Sequence, residues 1–203
     1  MAVILGRLLR IVLIPLLLAA CSILPEPKPT ALDKYLLEYM PATVRETRAD
    51  APVLIVATPQ ANAAYDTARI AYMQQQYGLR YYTRSSWADT PARMLAPLVA
   101  EALNASGQFQ ALYTSPGLLT ADLRLDTELL RFHQDFTRQP SEIHITLRAQ
   151  LVDLQQQQVV ATRLFDIREP ATSEDTYGGV LAANRAVTRL LEELTAFCIG
   201  LSR

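Results

Sequence analysis

The second half of the chain contains two histidines whose neighbours could support metal binding or proton transfer. His133 and His144 are the only histidines, with Asp135 and Glu142 two residues away from them. On adjacent antiparallel strands, two imidazoles and a carboxylate could bind a metal ion or move a proton. The simpler interpretation is two solvent-facing strand histidines. The sequence favours that interpretation, so we predict no metal, no cofactor and no catalytic residue.

The motifs of common enzyme and nucleotide-binding classes are missing. The sequence has no Gly-x-Ser-x-Gly elbow, no phosphate-binding loop and no Gly-x-Gly-x-x-Gly pattern. Its 19 basic and 20 acidic side chains give a formal net charge of −1. Nucleic-acid-binding domains usually carry a basic excess. We therefore expect neither an enzyme nor a nucleic-acid-binding protein.

The chain has only two cysteines, Cys21 and Cys198. Phe197 and Ile199 flank the second one, which indicates a buried, inert thiol. A disulfide to another molecule is the alternative for Cys198.

The first 20 residues have the features of a secretory signal peptide. Arg7 and Arg10 precede a charge-free apolar run, which ends in the small residues Ala19 and Ala20. The run is too short for a membrane-spanning helix, which needs about 20 apolar residues. We expect cleavage after Ala20, which leaves 183 of the 203 residues, enough for a single domain.

The residues at the cleavage site, Leu18-Ala19-Ala20-Cys21, resemble the lipobox of bacterial lipoproteins. That resemblance implies a diacylglycerol thioether on the Cys21 sulfur and an acylated (palmitate-type) new amino terminus. Two or more acyl chains anchor a protein firmly to a membrane. The alternative is an ordinary signal peptide that happens to be followed by Cys. In the Gram-negative sorting pattern that this segment resembles, Ser22 implies the periplasmic face of the outer membrane.

A proline-rich tether follows the predicted anchor. Pro25, Pro27 and Pro29 prevent regular helix or sheet and favour an extended spacer of about 3.1 Å per residue. We therefore divide the chain into a signal peptide (1–20), a lipidated tether (21–31) and one domain (32–203).

The domain sequence alternates between strand and helix patterns. Helical apolar spacing follows Asp89-Thr90-Pro91, a typical helix start, and recurs from Thr172 to Arg203. Strands are predicted at 34–39, 53–57, 69–74, 79–83, 109–113, 121–136, 143–151 and 159–167. The order indicates an α/β domain, in which two main helices pack on a mixed, largely antiparallel sheet. An α+β arrangement is the alternative.

Tyrosines are concentrated around the predicted hairpin between 69–74 and 79–83. Tyr72, Tyr77 and Tyr82 are candidates for a partner surface, because Tyr provides a large contact area at a small entropic cost. Gly78 is expected to supply the positive φ of the turn. Packing over the sheet edge is the alternative for these rings, and contact between copies in a homo-oligomer is a third use.

Several segments resemble the ABC-type transport auxiliary lipoproteins (the PqiC/YmbA-like proteins). They are 81–91, with its Trp87 and Pro91, followed by Met94-Leu95 and Gly107-Gln108-Phe109. Leu123-Arg124-Leu125, Leu130-Arg131-Phe132, the strand 147–153, the early strand 35–39 and the last helix occur in the same order as in that family.

The resemblance implies a non-catalytic lipoprotein that works beside an MCE-domain transporter, in which an ATPase, a permease and a periplasmic MCE protein move lipids between the envelope membranes. The implied fold is similar to anticodon-binding-like domains. Two other functions remain: a scaffold or assembly lipoprotein of another envelope complex, and a lipid-anchored hydrolase.

Overall fold

A computed structural model describes residues 32–112 and 121–201. Cys21, the cleavage site and the tether lie outside these residues. The described residues form nine strands and two helices. They are β1 (Asp33–Tyr35), β2 (Val53–Val56), β3 (Gln60–Ala61), β4 (Arg69–Met73), β5 (Leu79–Trp87), α1 (Pro91–Ala105), β6 (Gln110–Leu112), β7 (Leu123–Asp135), β8 (Glu142–Asp153), β9 (Gln158–Pro170) and α2 (Thr176–Leu201). The predicted α/β fold, a mixed sheet with two helices packed on it, is confirmed.

The sheet is organised around β7. Along one edge β7 pairs in parallel with three short strands, β2, β3 and β4, one after another. Along the other edge it pairs over its whole length with antiparallel β8, which pairs with antiparallel β9. β6 extends the sheet beyond β2, and the β4–β5 hairpin extends it towards β1.

Strict alternation explains which face of β8 packs against the helices. The side chains from Ile143 to Leu151 at odd positions are all buried against the helices. On β7 the core positions change from odd to even residue numbers where the register with β8 shifts between Leu129 and Arg131. This irregularity, a β-bulge, keeps both Leu129 and Phe132 in the core.

Helix α1 begins at Pro91 and ends before Gly107, whose φ is +69°. Its apolar face includes Leu95, which is 1% exposed. Trp87, at the end of β5, is also buried and stacks on Phe132 with ring centroids 5.4 Å apart. Trp87 and Leu95 therefore both belong to the core at the helix entry.

Helix α2 begins four residues later than the sequence predicted. Asp175 rather than Thr172 caps it, because its Oδ1 accepts a hydrogen bond from the Gly178 backbone N–H at 2.7 Å. The Ser173 hydroxyl also donates to this oxygen.

Cys198 lies on the buried face of α2, as predicted, and is not part of a disulfide. Burial raises the pKa of its thiol to about 12, so the thiolate is strongly disfavoured. Neither of the described helices combines the length and the apolar character that crossing a membrane requires.

Candidate functional site

The tip of the β4–β5 hairpin presents one fully accessible aromatic side chain. Tyr77 is 90% exposed and has a φ of +65°. The expectation that Gly78 supplies the positive φ is wrong: Tyr77 adopts it, and the Gly78 N–H bonds back to the Gln75 carbonyl at 3.0 Å. A left-handed conformation is uncommon for a bulky residue. The turn therefore holds the Tyr77 ring out in solvent.

The other two candidate tyrosines lie lower on the hairpin and contact each other. The Tyr72 and Tyr82 rings have centroids 4.6 Å apart, and Phe136 meets Tyr72 edge-on. The Tyr82 hydroxyl donates to Oε1 of Gln134 at 3.1 Å. Burial raises the pKa of Tyr82 to about 12, so its hydroxyl stays protonated as a donor.

The three predicted residues thus occupy two different environments. Tyr77 is free to contact another molecule, whereas Tyr72 and Tyr82 are half-buried and join the hairpin to β7. β4 pairs with the end of β7 at Tyr72 and Met73, which fixes the part of the hairpin next to its turn in the sheet. The hairpin is therefore a stable support for one protruding aromatic side chain.

The two histidines lie directly opposite each other on β7 and β8, with ring centroids 5.5 Å apart. The expectation that they face solvent is wrong: His133 is 4% and His144 is 6% exposed. They lie on the sheet face opposite the helices, where the ring of Tyr65, from the segment between β3 and β4, stacks over His133. The sequence predicted both strands, but it did not predict that Tyr65 would cover His133.

Each histidine has its own hydrogen-bond partner. The Tyr65 hydroxyl lies 3.2 Å from Nδ1 of His133. Nε2 of His144 donates to Oδ1 of Asp166 on β9 at 2.7 Å, and the Thr146 hydroxyl donates to the same oxygen. Tyr65 and Asp166 were not among the predicted site residues, because neither is near a histidine in sequence.

Electrostatics keeps His133 neutral. Burial is the main cause that lowers its pKa to about 4, and nearby His144 adds to the effect. Asp135 opposes the shift, whereas Arg131 and Arg168 reinforce it. Within residues 32–112 and 121–201, no group of three or more potential ligands is arranged to hold a metal ion. The two histidines therefore form a buried, hydrogen-bonded contact between neighbouring strands and the segment that carries Tyr65.

A polar cavity of about 420 Å³ lies further along the same sheet face. Two ion pairs border it, Arg124 with Asp126 and Arg148 with Glu128. Both arginines are already neutralised by carboxylates, so the cavity offers no excess charge of either sign from these pairs.

Known structures share this fold. Protein XCC0632 from Xanthomonas campestris is 27% identical, with a TM-score of 0.68 over 81% of this chain and 94% of that chain. The hypothetical protein CT253 from Chlamydia trachomatis is 12% identical, with a TM-score of 0.51 over 75% of this chain and 98% of that chain, which shows a shared fold alone. A search of the curated proteins found no match.

The family comparison covers most of the domain. The model of the ABC-type transport auxiliary lipoprotein component family matches residues 35–195, from β1 to the last turns of α2. The match includes the hairpin, both histidines and both helices. This chain therefore belongs to the ABC-type transport auxiliary lipoprotein component family.

Proposed function

We propose that this chain is a non-catalytic component of an MCE-type ABC lipid transport system, anchored by lipid in the outer membrane on its periplasmic face. The family match over residues 35–195 is the observation that carries this proposal, because it makes the chain an auxiliary lipoprotein of an ABC-type transporter. The ATPase and permease activities would belong to other subunits.

The amino-terminal sequence supports the anchor and its location. Leu18-Ala19-Ala20-Cys21 provides the acceptor thiol for lipid, and Ser22 fits sorting to the outer membrane. The tether of 21–31 would then hold the domain within reach of the bilayer, where it can meet a transporter protein that crosses the periplasm.

The structure supports a binding role over a chemical one. The two histidines are occupied by contacts with Tyr65, Asp166 and Thr146, which stabilise the sheet. Tyr77, by contrast, is exposed in a turn that follows Tyr72 and Met73, which are fixed by pairing with β7. We propose that Tyr77 contacts the MCE protein and that Tyr72 and Tyr82 support the hairpin.

Capture of the purified, full-length lipidated chain by the immobilised MCE protein of the same cell tests this function. Tyr77→Ala should weaken capture at least tenfold, since central aromatic contacts often contribute about 2 kcal/mol or more. Leu164→Ala, at an exposed apolar position on β9, is the matched control and should bind like the wild type.

The two parts of the proposal fail in different ways. No capture of the wild-type chain would contradict the link to an MCE protein. Full capture of a folded Tyr77→Ala variant would keep that link and exclude the hairpin tip as the contact.

A further inference from the structure

Exposed apolar side chains form a strip where the described chain begins. Leu32 and Leu36 are more than half exposed, and Met40 is 89% exposed. Tyr177 and Leu181, one turn apart on α2, are also exposed. We call these five residues the apolar strip. Contiguous exposed apolar surface is a feature of protein or membrane contact sites.

Contacts on the helix side of the domain hold the strip together. The chain after β1 lies beside α2, because the Asn184 side chain accepts from the Glu38 N–H at 2.8 Å and donates to the Leu36 carbonyl at 3.2 Å. Met40 and Leu181 line one cavity of about 670 Å³ together with Leu98 of α1. The Tyr35 and Tyr177 rings are 6.2 Å apart, which continues the surface towards β1.

The length of chain before the strip indicates what covers it. Leu32 is eleven residues after Cys21, the residue that the proposed function places in the bilayer. Eleven extended residues span about 34 Å at about 3.1 Å per residue. A surface tethered at this distance meets the bilayer at a high effective concentration, so even a weak partition is sufficient for binding.

We propose that the apolar strip lies against the phospholipid surface that holds the anchor and so orients the domain. This inference rests on the lipid anchor of the proposed function. Met40 and Leu36 enter the apolar boundary region, and Tyr177 places its ring among the headgroups, where amphipathic aromatic side chains are favoured.

Charge around the strip specifies the type of lipid. Glu38 lines the same cavity as Met40 and Leu181, and Glu101 and Glu192 act on Tyr39, whose pKa is raised by burial first and by these two carboxylates second. The neighbouring exposed Asp33 and Lys34 offset each other in charge, so the local excess is negative. Carboxylates repel anionic headgroups. The strip therefore fits a zwitterionic phospholipid surface better than an anionic one.

A labelled cysteine tests the contact in the full-length lipidated protein, reconstituted into phosphatidylcholine vesicles. Met40→Cys carries an environment-sensitive fluorophore on the strip, and Leu164→Cys carries it on the opposite face of the sheet as the matched control. Cys198 is buried and stays unlabelled. A fraction of the lipid carries a nitroxide quencher near the headgroup.

Quenching should be at least threefold stronger at position 40 than at position 164. Adding Leu32→Glu and Leu36→Glu should abolish that difference while the thermal midpoint changes little, since both side chains are more than half exposed. Replacing half of the phosphatidylcholine with phosphatidylglycerol should reduce the difference.

Equal quenching at both positions in vesicles that contain the protein would overturn the inference, leave the anchor intact and assign the strip to a protein partner. A protein that carries no lipid and does not enter vesicles would overturn the proposed anchor and the inference together.

Discussion

Gly179 lies against the side chain of Gln134, so that a Cβ added at Gly179 would be 2.3 Å from Oε1 of Gln134. Gln134 cannot turn away without loss, because its Nε2 donates to the Ser141 hydroxyl at 3.0 Å and its Oε1 accepts from Tyr82. This close approach joins the first turn of α2 to the end of β7 and, through Tyr82, to β5 of the hairpin.

Gly179→Ala should therefore lower the free energy of unfolding. Overpacking of a well-packed site typically costs about 1–3 kcal/mol, more than the gain of about 1 kcal/mol that Ala brings to a helix. Gly200→Ala is the control in the same helix, since nothing lies within 4 Å of the added Cβ. Denaturant unfolding should show destabilisation for position 179 only; equal stability of the two variants would contradict this contact.

Core packing at α1 gives a second prediction. Leu95 is 1% exposed and belongs to the same buried cluster as Trp87 and Phe132. Leu95→Ala should cost about 2–5 kcal/mol, because the vacated volume cannot be refilled by water or by rigid neighbours. Leu98→Ala, one turn later at a half-buried position, should cost clearly less. A melting midpoint of Leu95→Ala equal to that of the wild type would contradict the assignment.

The His133 environment predicts loss of stability in mild acid. The folded state lowers the pKa of His133 to about 4, whereas an unfolded histidine has a pKa of about 6.5. The unfolded state therefore binds the proton first, and stability falls as the pH drops from about 6.5 to about 4. The slope approaches about 1.4 kcal/mol per pH unit within that window.

Chemical denaturation of the wild type and of His133→Gln between pH 7.5 and pH 4.5 measures this effect. Gln retains an acceptor for the Tyr65 hydroxyl and removes the titrating group. The difference in unfolding free energy between the two proteins should change by a few kcal/mol across the window. If the difference in unfolding free energy did not change with pH, the folded state would not lower the pKa of His133.

The anchor gives a fourth prediction. Cys21→Ser should leave the precursor unlipidated, because a serine hydroxyl cannot form the thioether. Metabolic labelling with a radioactive fatty acid should mark the wild type and not the variant. Cys198→Ser serves as the control, since it retains Cys21 and should be labelled normally. Equal labelling of the wild type and of Cys21→Ser would exclude lipidation at Cys21.

Local patterns predicted the parts of the fold that local physics determines. Alternation from Ile143 to Leu151 identified β8 and its buried face, and Thr90-Pro91 located the start of α1. Arg163 shares the parity of the core residues Phe165 and Ile167 of β9. It lies on the edge strand, over the Phe165 ring and 3.8 Å from Glu193.

The remaining features depend on contacts between distant segments, which periodicity does not reveal. His133 is buried because Tyr65, 68 residues earlier, stacks over it. The alternating pattern of β8 indicated a solvent-exposed polar face, because periodicity does not show which distant residues cover that face. The first strand ends at Tyr35 rather than Tyr39, because the following residues bond to Asn184 of α2 instead of to a neighbouring strand.

The shared edge of β7 also determines when this domain can fold. Leu54 of β2 pairs with Leu123, and Tyr72 of β4 pairs with Gln134, so these early strands gain their central partner only when residues more than 60 positions later are present. Such non-local pairing forms late and slowly. Under the proposed function, the first half of the chain would not complete its fold until β7 and β8 have been exported, and lipid attachment near the amino terminus would precede folding. A chain truncated before β7 would be a substrate for envelope proteases and not a smaller version of the domain.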